Sequence, residues 1–422
     1  MKLNFNDILL LVKNKKYNES IEYLDKLIQD DRNNFDYYYL LGISYLNLGK
    51  LDNAIESFSH AINIKDDNFI FYHFRGLAYL KLNRLNEAKK DFDKLIELKI
   101  DFPEVYNNLG VLLYSLGKNE QAIKNFSKSI NLNNKFSQAI SGLINALSHT
   151  NNIQIDDSEI VSTHNKIKKI YPYYSSLKFI EDKNIKEFFK KTNDIIDNND
   201  KNLKLDMTQI YRRDKNELNC KRHKKVFNTY NAIPQFCFGC YKIQIEPENV
   251  IDLIKLYVLF DNIKLENNNL RKCMIEFRPN IPGRYKGLIY CNSIKESENI
   301  QNQLIKIIDK NFNKRLSCKI KRGCTEFGMK HPIYNNLKDD IMTYKQEWAK
   351  YENLVDEKHP DLTFERKISP TIKGCSLSDI LIIRNWLTYA RLIGDQSYKT
   401  ISDQIFHSDF IKKKLKLNTL KR

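Results

Sequence analysis

A period of 34 residues runs through the first 136 residues without an insertion or a deletion, and a chain repeating at that interval is committed to stacked helix pairs. Units begin at Met1, Phe35, Phe69 and Pro103, and another starts at Ser137. A small residue recurs at the eighth position (Gly42, Gly76, Gly110) and at the twentieth (Ser20, Ala54, Ala88, Ala122). Bulky residues recur at the eleventh (Leu11, Tyr45, Tyr79, Leu113) and the twenty-fourth (Leu24, Phe58, Phe92, Phe126). The physical reading is close helix packing. Gly and Ala let two antiparallel helices approach, while Tyr and Phe fill the space toward the next unit. Gly49 and Gly117 supply the turn between the helices of a pair.

These positions strongly resemble the tetratricopeptide repeat family over residues 1–136, with the first helix of a fifth unit at 137–147. Ile8 stands where the other units have glycine, as terminal repeats often show. The resemblance implies an α-solenoid whose first helices line a concave groove for a peptide or an extended protein segment. Its groove positions fall on Phe5, Tyr39, His73 and Asn107. The two-carboxylate clamp of chaperone-binding members needs Lys and Asn there. Leu9, Ile43, Leu77 and Val111 lie one turn along instead, which disfavours a chaperone tail as the guest.

Beyond the repeats the charge changes. Residues 1–150 carry a net +1, and the remaining 272 residues carry +16 of the total +17. A basic surface favours acidic partners, among them nucleic acid, acidic protein and anionic lipid, without selecting one. No run of about 18 apolar residues occurs, so no membrane span is expected. The short apolar patch at the N-terminus holds Asn6 and Asp7 and lacks a small-residue cleavage site, so the cytoplasm is the expected location.

Residues 148–215 read as a connector with helices over 157–171 and 185–196, and His164 reads as a packing residue. The most chemically specific segment follows. Cys220-x2-His223, thirteen residues, then Cys237-x2-Cys240 places paired ligands on two turns, the pattern of a closed structural Cys3His zinc site. A closed tetrahedron holds a fold together and leaves no position for substrate. Arg212, Arg213, Lys224 and Lys225 surround the pattern, and Arg278, Lys319 and Lys321 add to it, so a phosphate or nucleic-acid contact is expected at these seven side chains.

From Tyr241 onward alternating and helical patterns succeed one another. Strands are predicted at 241–246, 271–278, 288–293 and 316–323, with helices at 249–265 and 293–312. That order, β-α-β-β-α-β, is the ferredoxin-like arrangement, assigned to a domain at 216–330. Alternation puts Tyr241, Ile243, Ile245, Cys273, Ile275, Phe277, Leu316, Cys318 and Ile320 under the helices. Lys242, Gln244, Lys272, Glu276, Arg278, Lys319 and Lys321 take the other face, read as open and basic. Cys273 and Cys318 are core residues on this reading, and the cations beside Cys324 are expected to lower its pKa. RNA-recognition modules share this topology. Their aromatic stacking platform is missing, since Tyr241 takes the core side.

Residues 331–422 read as helical, with segments at 340–354, 376–395 and from 411 onward. Ser376 and Asp379 form a capping box, Gly394 a stop, and Trp386 and Tyr389 pack. No Walker A loop, G-x-G-x-x-G after a strand, nucleophile elbow or H-E-x-x-H occurs. The expectation is an adaptor. A repeat array (1–147) grips a polypeptide, a connector (148–215) follows, and the basic zinc-stapled domain with its C-terminal helices engages an acidic partner. Nucleic-acid binding is the alternative. An enzyme is the third reading, and a deep pocket lined by Glu276, Arg278 and Glu326 would favour it.

Overall fold

The computed structural model describes residues 5–98, 100–151, 153, 158–175, 181–212, 218–312, 316–337, 342–359, 362 and 370–419. The chain divides into two compact units, Met1–Leu143 and Ile144–Arg422.

The first unit is a helical solenoid: α1 (Phe5–Lys13), α2 (Tyr17–Asp30), α3 (Phe35–Leu48), α4 (Leu51–Ile64), α5 (Phe69–Lys81), α6 (Leu85–Glu97), α7 (Pro103–Ser115) and α8 (Asn119–Leu132). Helix α9 (Ser137–Leu147) begins in it. First helices start at 35, 69, 103 and 137, and second helices at 17, 51, 85 and 119, so both series keep the 34-residue interval. The starts have local causes. Asn34 and Asn68 accept a hydrogen bond from the backbone two residues on, at 3.0 and 3.1 Å, and Pro103 occupies the first turn of α7.

Packing explains the eighth position. A methyl group added to Gly42, Gly76 or Gly110 would lie 2.5, 2.8 or 2.6 Å from the ring of Phe58, Phe92 or Phe126. Those rings are fully buried, and so are Ala54, Ala88 and Ala122 beside them. The corner of each pair is also periodic. Lys15, Gly49, Asn83 and Gly117 all adopt the left-handed conformation, with φ of 61°, 75°, 61° and 73°. Two of these four corners are therefore built without glycine.

The second unit contains α10 (Glu159–Ser175), α11 (Asp182–Asn199), β1 (Gln209–Arg212), α12 (Cys220–Tyr230), β2 (Tyr241–Glu246), α13 (Val250–Asn262), β3 (Arg271–Ile275), β4 (Tyr285–Cys291), α14 (Ile294–Asn311) and β5 (Ser317–Arg322). Then come α15 (Thr325–Lys330), α16 (Ala349–Lys358), α17 (Leu377–Leu392), α18 (Tyr398–Ile401) and α19 (Asp409–Thr419). The sheet order is β1-β3-β4-β2-β5, every neighbouring pair antiparallel. Strand β1 comes from the segment read as connector. Four residues are too few to show an alternating pattern, so the edge strand was invisible in sequence.

Direct cross-strand partners share a face. Ile243 pairs with Ile289 and Ile320, Tyr241 with Cys291, and Ile275 with Tyr285. This is the core face, where α13 is buried along nearly its whole length and α17 from Leu377 to Ala390. Trp386 is fully buried and its indole N–H donates to the Thr208 carbonyl at 2.9 Å. The Tyr389 hydroxyl donates to the Glu276 carbonyl at 2.6 Å. Ser376 and Asp379 form the expected capping box. The helix expected at 340–354 begins at Ala349, because Lys345 is extended and Gln346–Trp348 makes a 3-10 turn; residues 340 and 341 of that prediction lie outside the described residues.

A second, smaller core joins α12, α15 and α16. Val226, Phe227, Ala232, Ile233, Cys237, Phe327, Tyr334, Trp348 and Val355 are its buried members. It matters because two of its helices, α12 and α15, wall the other face of the sheet.

Candidate functional site

The polar face of the sheet is covered over its middle strands, while Arg278 and Lys319 stay exposed. Lys242 and Gln244 are each 5% exposed and Lys286 is 4% exposed. A cavity of about 650 Å³ lies over this face. Its floor is Gln209 and Tyr211 of β1, Lys242 and Gln244 of β2, Lys272 and Met274 of β3, and Lys286, Leu288 and Tyr290 of β4. Its walls come from α12, the 3-10 turn Gln235–Phe238, α15 and α19. The volume falls in the range of small-molecule sites.

Seven cationic side chains line this cavity (Lys221, Lys224, Lys242, Lys272, Arg278, Lys286, Lys414) against two carboxylates, Glu276 and Glu326. The carboxylates are already engaged. Glu276 accepts from Arg278 Nε at 2.8 Å and Lys286 Nζ at 2.9 Å. Burial pushes its pKa up, but those two cations hold it down at about 2. Glu326 accepts from Lys224 at 3.1 Å and Arg278 at 3.3 Å, and it too is held at about 2 against burial.

Lys242 and Lys272 have no such partner among the described residues. Lys242 donates to the Gly323 carbonyl at 3.1 Å and to Thr325 Oγ1 at 2.8 Å. Lys272 lies beside the rings of Tyr211 and Tyr290, 5.6 and 5.9 Å from their centroids, and donates to Gln209 at 3.4 Å. Burial lowers both ammonium groups to a pKa of about 8. Alternation put both lysines on this face. Nothing in the sequence revealed that the face is covered, and covering is what makes them special.

Four thiols share one end of the cavity: Cys220 at the start of α12, Cys237, Cys240, and Cys324 just ahead of α15. The Gly323 N–H donates to the Cys240 carbonyl at 2.8 Å, and a methyl group at Gly323 would meet Cys240 Sγ at 2.3 Å. Burial raises Cys240 to about 12 and Cys324 to about 11. The expected lowering of Cys324 by nearby cations is thus overturned: burial dominates, and its thiol donates to Glu326 at 3.3 Å. None of the eight cysteines forms a disulfide.

Among the described residues no three His, Cys, Asp or Glu side chains gather closely enough to hold a metal ion. The expected Cys220, His223, Cys237, Cys240 tetrahedron is therefore not assembled as the side chains stand. His223 is 6% exposed and its ring stacks on Phe236 at 5.2 Å. Burial, with Arg222 beside it, lowers its pKa to about 4.

The expected anion contacts separate. Arg212 is a structural cation, bonded to Asp261 at 2.7 Å, Asp379 at 3.1 Å and the Gly374 carbonyl at 2.6 Å, so it is not available to a ligand. Arg213 lies outside the described residues. Lys224 and Arg278 line the cavity, Lys225 is exposed on α12, and Lys319 and Lys321 sit on β5 outside the cavity lining.

In the repeat array, Tyr39 packs among Phe58, Phe71 and Phe74 with ring centroids 5.6 to 6.3 Å away. Phe5 is 36% exposed. At the same position of the next two units, His73 Nδ1 and Asn107 Oδ1 are buried atoms without a hydrogen-bond partner among the described residues. Burial lowers the pKa of His73, which keeps its ring neutral at pH 7.

Three family models match the chain, a tetratricopeptide repeat at residues 35–68, a TPR repeat at 76–117 and a tetratricopeptide repeat at 103–136. Residues 35–136 are tetratricopeptide repeats. No curated protein matches the chain. Among solved structures the chain is similar to a crystal structure of MamA at 22% identity, over 34% of this chain and 83% of that one, with a TM-score of 0.32. It is similar to MamA from Desulfovibrio magneticus RS-1 at 18% identity, over 33% and 80%, TM-score 0.32. A thermophilic TPR protein from Thermus thermophilus matches at 20% identity, over 33% and 77%, TM-score 0.30. No helix among the described residues is long and apolar enough to cross a membrane.

Proposed function

We propose that the chain is an adaptor whose repeat array holds an extended polypeptide segment while its second unit engages an acidic ligand. One observation carries the first half. The buried, unpartnered His73 Nδ1 and Asn107 Oδ1 stand one repeat apart, at the position that the family resemblance assigns to the groove. An unmet buried polar atom costs about 1–3 kcal/mol, and the peptide groups of a bound strand are the natural partners for such a periodic pair. The test is a displayed peptide library selected on the full chain. Selected peptides are expected to lose about tenfold or more in affinity against a His73→Ala, Asn107→Ala double variant, the size of one or two lost hydrogen bonds. Equal binding to both proteins would remove the groove reading.

The second unit is read as a ferredoxin-like sandwich with an added edge strand. The β-α-β-β-α-β sequence from β2 to β5 and the all-antiparallel order β3-β4-β2-β5 support this. Structural zinc is part of the same reading. Cys220, Cys237 and Cys240 supply three thiolates, with His223 or Cys324 as the fourth ligand, and side-chain rotation is needed to bring them to one point. Elemental analysis of purified full-length protein is expected to return about one zinc per chain, lost in Cys237→Ser. Comparing His223→Ala with Cys324→Ser identifies the fourth ligand. Folded protein free of zinc sinks the metal reading.

A further inference from the structure

We infer that the cavity over the sheet binds a phosphate monoester with a planar or apolar body, its phosphate held between Lys242 and Lys272. The inference rests on the second unit being the half that engages an acidic ligand, and it stands or falls apart from peptide binding by the array.

The argument begins with charge. Burying an ammonium group without a counter-charge is costly, and Lys242 and Lys272 line one cavity with no carboxylate partner among the described residues. The two carboxylates present are occupied by Arg278, Lys286 and Lys224, so they cannot serve. Zinc-bound thiolates on the same wall would offset part of this charge, but seven cations face two engaged carboxylates, so an anion entering from solvent still fits, and the titration is run on protein of measured zinc content. A phosphate monoester carries roughly −1.5 to −2 at pH 7, against one for a carboxylate.

Shape adds the second part. Lys272 Nζ lies 5.6 and 5.9 Å from the ring centroids of Tyr211 and Tyr290, and Tyr290 is also the cross-strand partner of Lys242, so the two rings border the surface between the cations. Leu288 and Met274 lie on the same floor. A surface of two cations and two rings, with apolar floor between, suits a ligand with an anionic head and a flat body. Inorganic phosphate would use only half of it.

The test is isothermal titration of the full chain at pH 7 with phenyl phosphate, inorganic phosphate, benzoate and a short single-stranded oligonucleotide. Phenyl phosphate is expected to bind at least tenfold tighter than inorganic phosphate and than benzoate. Lys242→Met and Lys272→Met are each expected to weaken it at least tenfold. Lys242→Met removes a buried charge and Lys272→Met a half-buried one, so both should fold, as circular dichroism will check, and Lys306→Met, exposed on α14 and outside the cavity, serves as the surface control and should bind as wild type. Four results overturn the inference: no binding of phenyl phosphate at millimolar concentration, equal affinity for benzoate, unchanged affinity in both buried-lysine variants, or oligonucleotide binding that outcompetes phenyl phosphate and ignores those variants. Loss of peptide binding in the array variant, with phenyl phosphate binding intact, separates a failure of the first half of the adaptor from a failure here.

Discussion

Single side chains carry charge states that burial sets. Lys242 and Lys272 ionise at about 8 in the folded chain and at about 10.4 when unfolded. Between those values the unfolded chain binds more protons, so this contribution to stability rises as pH climbs from about 8 to about 10.5. Below pH 8 both states are charged and the full burial cost is present. Lys242→Met is therefore expected to be more stable than wild type at pH 7, by about 1–3 kcal/mol, and the gap to shrink through that window. Urea denaturation at pH 7 and pH 10 measures it, and a gap independent of pH would contradict the assignment. In the array, Gly110→Ala drives a methyl group into the Phe126 ring and should cost about 1–3 kcal/mol. Lys15→Gly relieves a left-handed non-glycine and should gain about 0.5–1 kcal/mol. The sequence displayed the first of these sites through its periodic glycines. It hid the second, because Lys15, unlike the asparagine at the equivalent corner, does not look like a left-handed turn residue until its backbone is seen.

Among elements, helices were the most legible. Starts at 35, 51, 69, 85, 103 and 119 repeat the sequence period, and the Ser376–Asp379 box marks the start of α17. Strand faces were legible too, because alternation fixes them. Two things were not. Strand β1 is too short to show a pattern, and the small core that walls the sheet is assembled from residues more than a hundred apart, such as Phe227 and Trp348. The zinc pattern meets the same limit: spacing selected His223, and spacing cannot register that its ring lies on Phe236 or that Cys324 returns to the same cavity wall. Helix α17 also anchors Arg212 through Asp379, which joins it to β1. Arg212→Met leaves Asp261 and Asp379 buried without their cation, and is expected to cost about 3–5 kcal/mol. Ser376→Ala removes only the cap, about 1 kcal/mol. Thermal denaturation of the two variants should rank them in that order.

At the scale of the whole molecule, the two units have separate cores, one periodic and short-range, the other built on a sheet with distant pairings. Unfolding is expected in two steps, followed by far-UV and aromatic circular dichroism, with Gly110→Ala moving one step and Arg212→Met the other. A single shared transition shifted by both changes would contradict this. The walled sheet also acts as a gatekeeper of size. A strand surface lying in the open can receive the side of a duplex or of another protein. One roofed over its middle strands takes a guest that fits between the covering helices, so the selectivity of this half of the molecule begins with dimensions before any bond is made.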